Sequence, residues 1–195
     1  MVSSLPASGA PLTRGLSLTQ RVFAGSASRK LLKTVEDGMA LVEDNLAIEL
    51  RVTDALADAT SRYLYDAGGK RVRPMLTILT SQLGDGATAN VVGGATALEL
   101  THLGSLYHDD AMDGADVRRG VPSAHSVWGN NIATLTGDLL FSRASQIMAR
   151  YGEQAMQLQA DTFERLVLGQ MHETVGPTDA DDPVEFYLQV LADKT

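Results

Sequence analysis

The chain has no cysteine, which removes disulfide staples and thiolate zinc sites from consideration. Aromatic residues make up only 5% of it, and no stretch sustains the polar–apolar alternation of a half-buried strand. No uncharged apolar run approaches the roughly 18 residues of a membrane span, and residues 1–25 lack the basic start and continuous apolar block of a secretory signal. Basic residues are in deficit. With 16 Lys and Arg against 24 Asp and Glu, the net charge of −8 excludes a general nucleic-acid binder, because the total cannot neutralise a phosphate backbone. What remains is a globular protein of 195 residues, 44% hydrophobic and 21% charged, expected to be cytoplasmic and to build one substantial core.

Residues 1–25 are rich in Ser, Gly, Pro and Ala and read as a flexible leader, with a short helix near Leu18 to Phe23. From Ser28 to Ala67, the apolar positions Leu31, Val35, Met39, Val42, Leu46, Val52, Leu56, Ala59 and Tyr63 follow helical spacing, with Gly68 and Gly69 as the stop. Pro74 opens the next helix, "PMLTILTSQLG". Further helices are expected from Thr88 to Met112 and over "NNIATLTGDLLFSRASQIMARYG", "EQAMQLQADTFERLVLGQMHETVG" and "PVEFYLQVLADKT". "DGADVRRGVPSAHSVWG" reads as a loop. The expectation is an all-α bundle of long, mostly antiparallel helices, with residues 26–195 in a single domain.

An unusual concentration of charge lies in "LTHLGSLYHDDAMDGADVRRGVPSAH", residues 100–125. Here an apolar helical run ends in Asp109, Asp110 and Asp113. Crowded carboxylates repel one another, so the arrangement is costly unless something positive sits among them. On a helix, Asp109 and Asp113 stack one turn apart with Asp110 offset to the side. Two stacked carboxylates suit a magnesium ion, which keeps several waters and completes its shell with substrate phosphate oxygens. His102, two turns before Asp109, lies on nearly the same stripe. A calcium loop of the EF-hand type needs acids at alternate positions and a Glu at the twelfth, and neither register provides them.

The basic counterparts are "AGGKRVRP", with Lys70, Arg71 and Arg73 in a glycine-bounded turn at a helix start, and the pair Arg118 and Arg119. A helix N-terminus adds partial positive charge, and guanidinium groups fork onto phosphate oxygens. The first segment is not a Walker loop, since Leu64 stands where its first glycine belongs and no Ser or Thr follows Lys70. Two kinds of phosphate grip, one through a metal and one direct, suit a transfer between two phosphorylated substrates.

Taken in order, "GGKRVRP", "ELTHLGSLYHDDAMDGADVRRGVPSAH", "GNNIATLTGDLLFSRA" and "LADKT" resemble the trans-isoprenyl diphosphate synthases, or polyprenyl synthetases, from about Leu31 to Thr195. The resemblance implies the isoprenoid synthase fold, helices around a central cavity. It implies that Asp109 and Asp113 coordinate Mg2+ holding an allylic prenyl diphosphate, with Asp110 and Arg118 in support. Lys70, Arg73, His102 and Arg119 match the positions that bind the diphosphate of isopentenyl diphosphate, and Lys194 and Thr195 match a pair near the allylic diphosphate. The implied reaction is ionisation of the allylic diphosphate, attack by the isopentenyl double bond and proton loss to the released diphosphate. The protein would then be a homodimer that does not span the membrane although its product dissolves in one. Gly104 and Ser105, small residues four and five positions before Asp109, imply an open pocket and a medium or long product, unless they serve close helix packing.

The chain departs from that pattern by ending at Thr195, before the second aspartate-rich motif of a complete synthase. It is therefore expected to be the N-terminal portion of one domain, weak or inactive alone. A non-catalytic partner subunit that binds prenyl diphosphates is the alternative. "GQMHE" from Gly169 lacks the usual glycine–glutamate step, and no role falls to Gln170 or Glu173. Asp138 reads either as a cavity-facing acid or as a buried partner of Arg143, and His108 as structural or at a subunit contact. His125 and His172 read as surface residues, and Met148, Met156 and Met171 as core filling.

Overall fold

The computed structural model describes residues 26–194, so the expected helix near Leu18 to Phe23 and the position of Thr195 fall outside the described residues. The described residues form eight helices and one two-stranded ribbon: α1 Ser26–Glu49, α2 Ala55–Asp66, α3 Val72–Ser81, α4 Ala89–Asp113, β1 Val117–Arg118, β2 Val121–Pro122, α5 Ala124–Trp128, α6 Asn130–Ala149, α7 Glu153–Val175 and α8 Pro183–Lys194. The fold is all-α, as the spacing predicts. None of these helices is long and apolar enough to cross a membrane.

The chain divides into two compact units, residues 1–144 and 145–195. In the first, α1 presents Val35, Val42 and Leu46 on one stripe, with Leu50 just beyond its end, and all four are buried. The helix expected to run unbroken from Ser28 to Ala67 is in fact two, because two aspartates offer the backbone other partners. Asp54 Oδ1 accepts from the amides of Leu56 (3.0 Å) and Ala57 (2.9 Å), and Asp58 Oδ1 from that of Val52 (3.1 Å). A new helix thus starts at Ala55. Pro74 is the third residue of α3, in the first turn, where its missing N–H is no loss.

Helix α4 is the centre of this unit. It starts at the Thr88 cap and is buried around most of its circumference, through Val92, Ala95, Leu100, Leu103, Gly104 and Tyr107, against α1, α3 and α5. Burying a leucine such as Leu100 contributes about 2 kcal/mol. Gly114, at φ 63°, takes the left-handed conformation that ends the helix. Gly104 meets Gly137 of α6: a Cβ on Gly104 would lie 2.9 Å from Phe141 Cε1 and 3.1 Å from the Gly137 carbonyl oxygen. The small size of Gly104 therefore permits a close helix crossing, the packing use that its sequence reading left open beside a part in setting product length.

The expected loop after α4 contains the ribbon and α5. Val117 pairs with Pro122 and Arg118 with Val121, leaving Arg119 and Gly120 as a two-residue turn. Both have positive φ, 55° and 81°, as the type I′ turn of a tight hairpin demands. Tyr63 anchors the ribbon to α2, its hydroxyl donating to the Pro122 carbonyl (2.9 Å) and its ring standing edge-on to Trp128. In the second unit α7 packs on α8, and a Cβ on Gly169 would lie 2.8 Å from the Lys194 amide nitrogen, so this glycine sets their approach. Met171 is exposed there and does not fill a core.

Tyr107 is fully buried, its hydroxyl donating to the Thr60 carbonyl and accepting from the Leu64 amide (3.2 Å). Removing the hydroxyl in Tyr107→Phe leaves the α2 backbone without that bridge, and should lower unfolding free energy by about 1–2 kcal/mol in urea denaturation.

Candidate functional site

The C-terminal end of α2 is where cations gather, because its last carbonyls lack intrahelical partners and carry partial negative charge. Arg119 Nη1 donates to the carbonyls of Leu64 (2.8 Å) and Gly68, and Arg71 reaches those of Tyr65 and Gly68 (both 3.4 Å). Gly69 lets the two guanidinium groups converge: a Cβ there would sit 2.8 Å from Arg71 Nη1 and 3.0 Å from Arg119 Cζ. Arg71 itself is left-handed, at φ 49° and ψ 38°, and precedes the first turn of α3.

Around this point lies a hollow of about 310 Å3, lined by Gly69, Lys70, Arg71, Val72, Arg73, Glu99, His102 and Arg119. Lys70, Arg73, His102 and Arg119, predicted from sequence to share one anion, therefore do line one space. Burial and the surrounding arginines, Arg73 first, push the His102 imidazole down to about 4, so it is neutral at pH 7 and can donate or accept a hydrogen bond without adding charge. Burial likewise lowers Arg119, with Arg71 adding to the effect.

One lining residue, Glu99, escaped the sequence reading. It is 2% exposed, its Oε1 lies 3.3 Å from Arg71 Nη1, and burial raises its carboxyl against the opposing pull of Arg71, Arg119 and Arg73. Its sequence signal was an acid on the buried face of an apolar helix, three residues before His102. An ionised group in such a place is almost always paired.

The three acids are separated by role. Asp110 is fully buried, and Arg118 Nε donates to its Oδ1 (2.7 Å), joined on the same oxygen by Nη2. The positive group among the acids is thus Arg118, whose pKa is raised chiefly by the Asp110 hydrogen bond and further by the fields of Asp110, Asp109 and Asp113. Asp109 is half-buried and Asp113 exposed, and neither lines the hollow. Among the described residues no group of three or more His, Asp or Glu could by itself hold a metal. Two carboxylates one turn apart at the end of α4 nevertheless fit Mg2+, which binds through one or two carboxylates plus substrate phosphate. The buried, unpartnered Oδ2 of Asp110 adds a spare acceptor at the same helix end.

Other predicted residues fall elsewhere. Asp138 is 58% exposed, not buried against Arg143, and its carboxylate lies 3.4 Å from His108 Nε2. His108 also bonds the Thr134 carbonyl (3.0 Å) and stands edge-on to Phe141, so it is a structural residue of the α4–α6 crossing. His125 is half-buried, not a surface residue, with Nε2 2.8 Å from the Ala115 carbonyl. Ser105, half-buried, donates to the His102 carbonyl (2.8 Å). In the second unit Lys194 forms an ion pair with Glu173, which gives a partner to an acid left unassigned from sequence.

The Polyprenyl synthetase family profile matches residues 54–195. The chain belongs to this family. It is 44% identical over 189 residues to a nonaprenyl diphosphate synthase of Mycobacterium tuberculosis, covering 95% of this chain and 53% of that protein. A heptaprenyl diphosphate synthase component 2 of Geobacillus stearothermophilus is 35% identical over 162 residues, 83% of this chain and 51% of that one. The crystal structure of geranylgeranyl pyrophosphate synthase from Corynebacterium glutamicum, complexed with calcium and isoprenyl diphosphate, superposes with a TM-score of 0.75 at 42% identity, over 85% of this chain and 51% of that one. The fold is therefore that of the isoprenoid synthases. The chain spans about half the length of the curated relatives it matches.

Because His102 is held neutral in the fold but titrates near 6.5 when unfolded, protons bind the unfolded chain preferentially between those values. The stability that His102 contributes should therefore be full above about pH 6.5 and fall as pH drops toward 4. A His102→Gln variant should show a shallower decline of the urea midpoint across that window.

Proposed function

We propose that the protein is a prenyltransferase, a Mg-dependent trans-polyprenyl diphosphate synthase that joins isopentenyl diphosphate to an allylic prenyl diphosphate and makes a medium- or long-chain product. The observation that carries this reading is the convergence of Lys70, Arg73, His102 and Arg119 on one hollow, four side chains from three separate parts of the sequence. In the reading, these groups grip the diphosphate of isopentenyl diphosphate, with Arg119 steadied by the end of α2. Asp109 and Asp113 hold the Mg2+ of the allylic diphosphate, and the Asp110–Arg118 pair fixes that end of α4. The bound metal would neutralise charge developing on the leaving diphosphate. Lys194 and Thr195 are assigned to the allylic side by the family resemblance alone, as are a homodimeric state and a cytoplasmic setting.

Support for a long product comes from the nonaprenyl synthase relative and from Ser105, small and half-buried one turn before Asp109. A second reading, a subunit of a two-component synthase, is favoured by the relatives named as heptaprenyl diphosphate synthase component 2. Incubating a full-length form of the protein with labelled isopentenyl diphosphate, an allylic primer and Mg2+, then sizing the extracted products, tests both. Activity without added protein supports the first reading, and activity only on adding a second subunit supports the other.

Arg73→Ala should weaken isopentenyl diphosphate binding about tenfold, read as KM or by calorimetric titration, whereas Asp109→Ala should chiefly lower kcat. Ser105→Phe should shorten the product without changing isopentenyl diphosphate affinity. Unchanged product length would remove Ser105 from the chain-length assignment.

A further inference from the structure

Arg71 stands in a conformation that non-glycine residues avoid, left-handed and immediately before a helix, and such strain persists only where the surroundings over-determine it. Here they do. Arg71 Nε donates to Glu43 Oε1 of α1 at 2.8 Å, Nη1 lies 3.3 Å from Glu99 Oε1 of α4, and the guanidinium carbon sits 4.9 Å from the centre of the Tyr65 ring. Its side chain is 9% exposed, so these contacts act with little screening by solvent. Glu43 even leaves its Oε2 buried without a partner.

Lys70 precedes Arg71 directly and Arg73 follows two residues later, both lining the hollow. The dihedral angles of Arg71 therefore decide how these two cations face each other. We infer that Glu43, a residue of α1 that does not line the hollow, is a positioning residue for diphosphate binding. It holds Arg71 in its left-handed state jointly with Glu99, and so presents Lys70 and Arg73 to one anion. The inference rests on the hollow being a diphosphate site, as proposed above.

The sign of the effect separates this from plain electrostatics. Removing a negative charge near a cationic hollow should by itself tighten anion binding. Positioning predicts the reverse. Calorimetric titration of the protein with inorganic pyrophosphate should show wild type binding most tightly, Glu43→Gln about threefold weaker because it keeps a neutral acceptor for Arg71, and Glu43→Ala about tenfold weaker. A purely structural role would lower the thermal midpoint and leave the affinity of the folded protein unchanged. Equal or tighter binding by both variants overturns the inference while leaving the diphosphate site intact. Failure of wild type to bind pyrophosphate overturns both. Should Glu43→Ala not fold, the direction of the Glu43→Gln change decides alone.

Discussion

Four cationic side chains can share one hollow only if the fold absorbs their mutual repulsion, and everything else at the site follows from how it does so. Lys70, Arg71, Arg73 and Arg119 all line the same space. Two devices hold them. The carbonyls at and just beyond the end of α2 take Arg119 and part of Arg71, and the carboxylates of Glu43 and Glu99 take the rest of Arg71. A helix C-terminus is a fixed partial charge that cannot swing away, whereas a carboxylate can be placed where the geometry needs it. Together they leave Lys70 and Arg73, on either side of Arg71, turned to the hollow. Neutral His102 completes the lining, since a fifth charge there would be opposed by every arginine around it.

The ribbon after α4 solves a second problem of placement. Successive side chains on a strand point to opposite faces, and a type I′ turn preserves that divergence in the fewest residues. Arg118, last in β1, reaches Asp110 at the acidic end of α4, while Arg119, first in the turn, reaches the carbonyls of α2. One dipeptide thus serves two anionic poles. The left-handed backbone of Arg119 is the cost of that economy, and Gly120 carries the second positive φ without strain.

Much of this was legible from residues alone. Helical periodicity, glycine stops and the acid and base clusters locate α3, α4, α6, α7 and α8 and nominate most of the lining of the hollow, because each rests on local chemistry, whereas the short α5 lay in a stretch that reads as a loop. The break at Asp54 was not legible, since an apolar stripe continues across it and only the capping bonds of Asp54 and Asp58 reveal the interruption. Gly104 was ambiguous for a related reason. A small residue looks the same in sequence whether it borders a void or a neighbouring helix, and here Phe141 and Gly137 fill the space. The acids were read as wanting a metal, but Asp110 found its positive charge in Arg118, eight residues on. Glu99 and Glu43 went unnoticed because their partner, Arg71, is distant in sequence.

The cationic lining belongs wholly to the first unit, from Lys70 to Arg119, and so do Asp109, Asp110 and Asp113. Lys194 lies in the second, where Glu173 pairs with it and Gly169 admits the backbone of α8 at close range. The two sets of phosphate-binding candidates therefore depend on different packing. Residues that fix the α2 end, such as Tyr107 and Glu43, bear on the cationic hollow, and residues at the Gly169 crossing bear on Lys194.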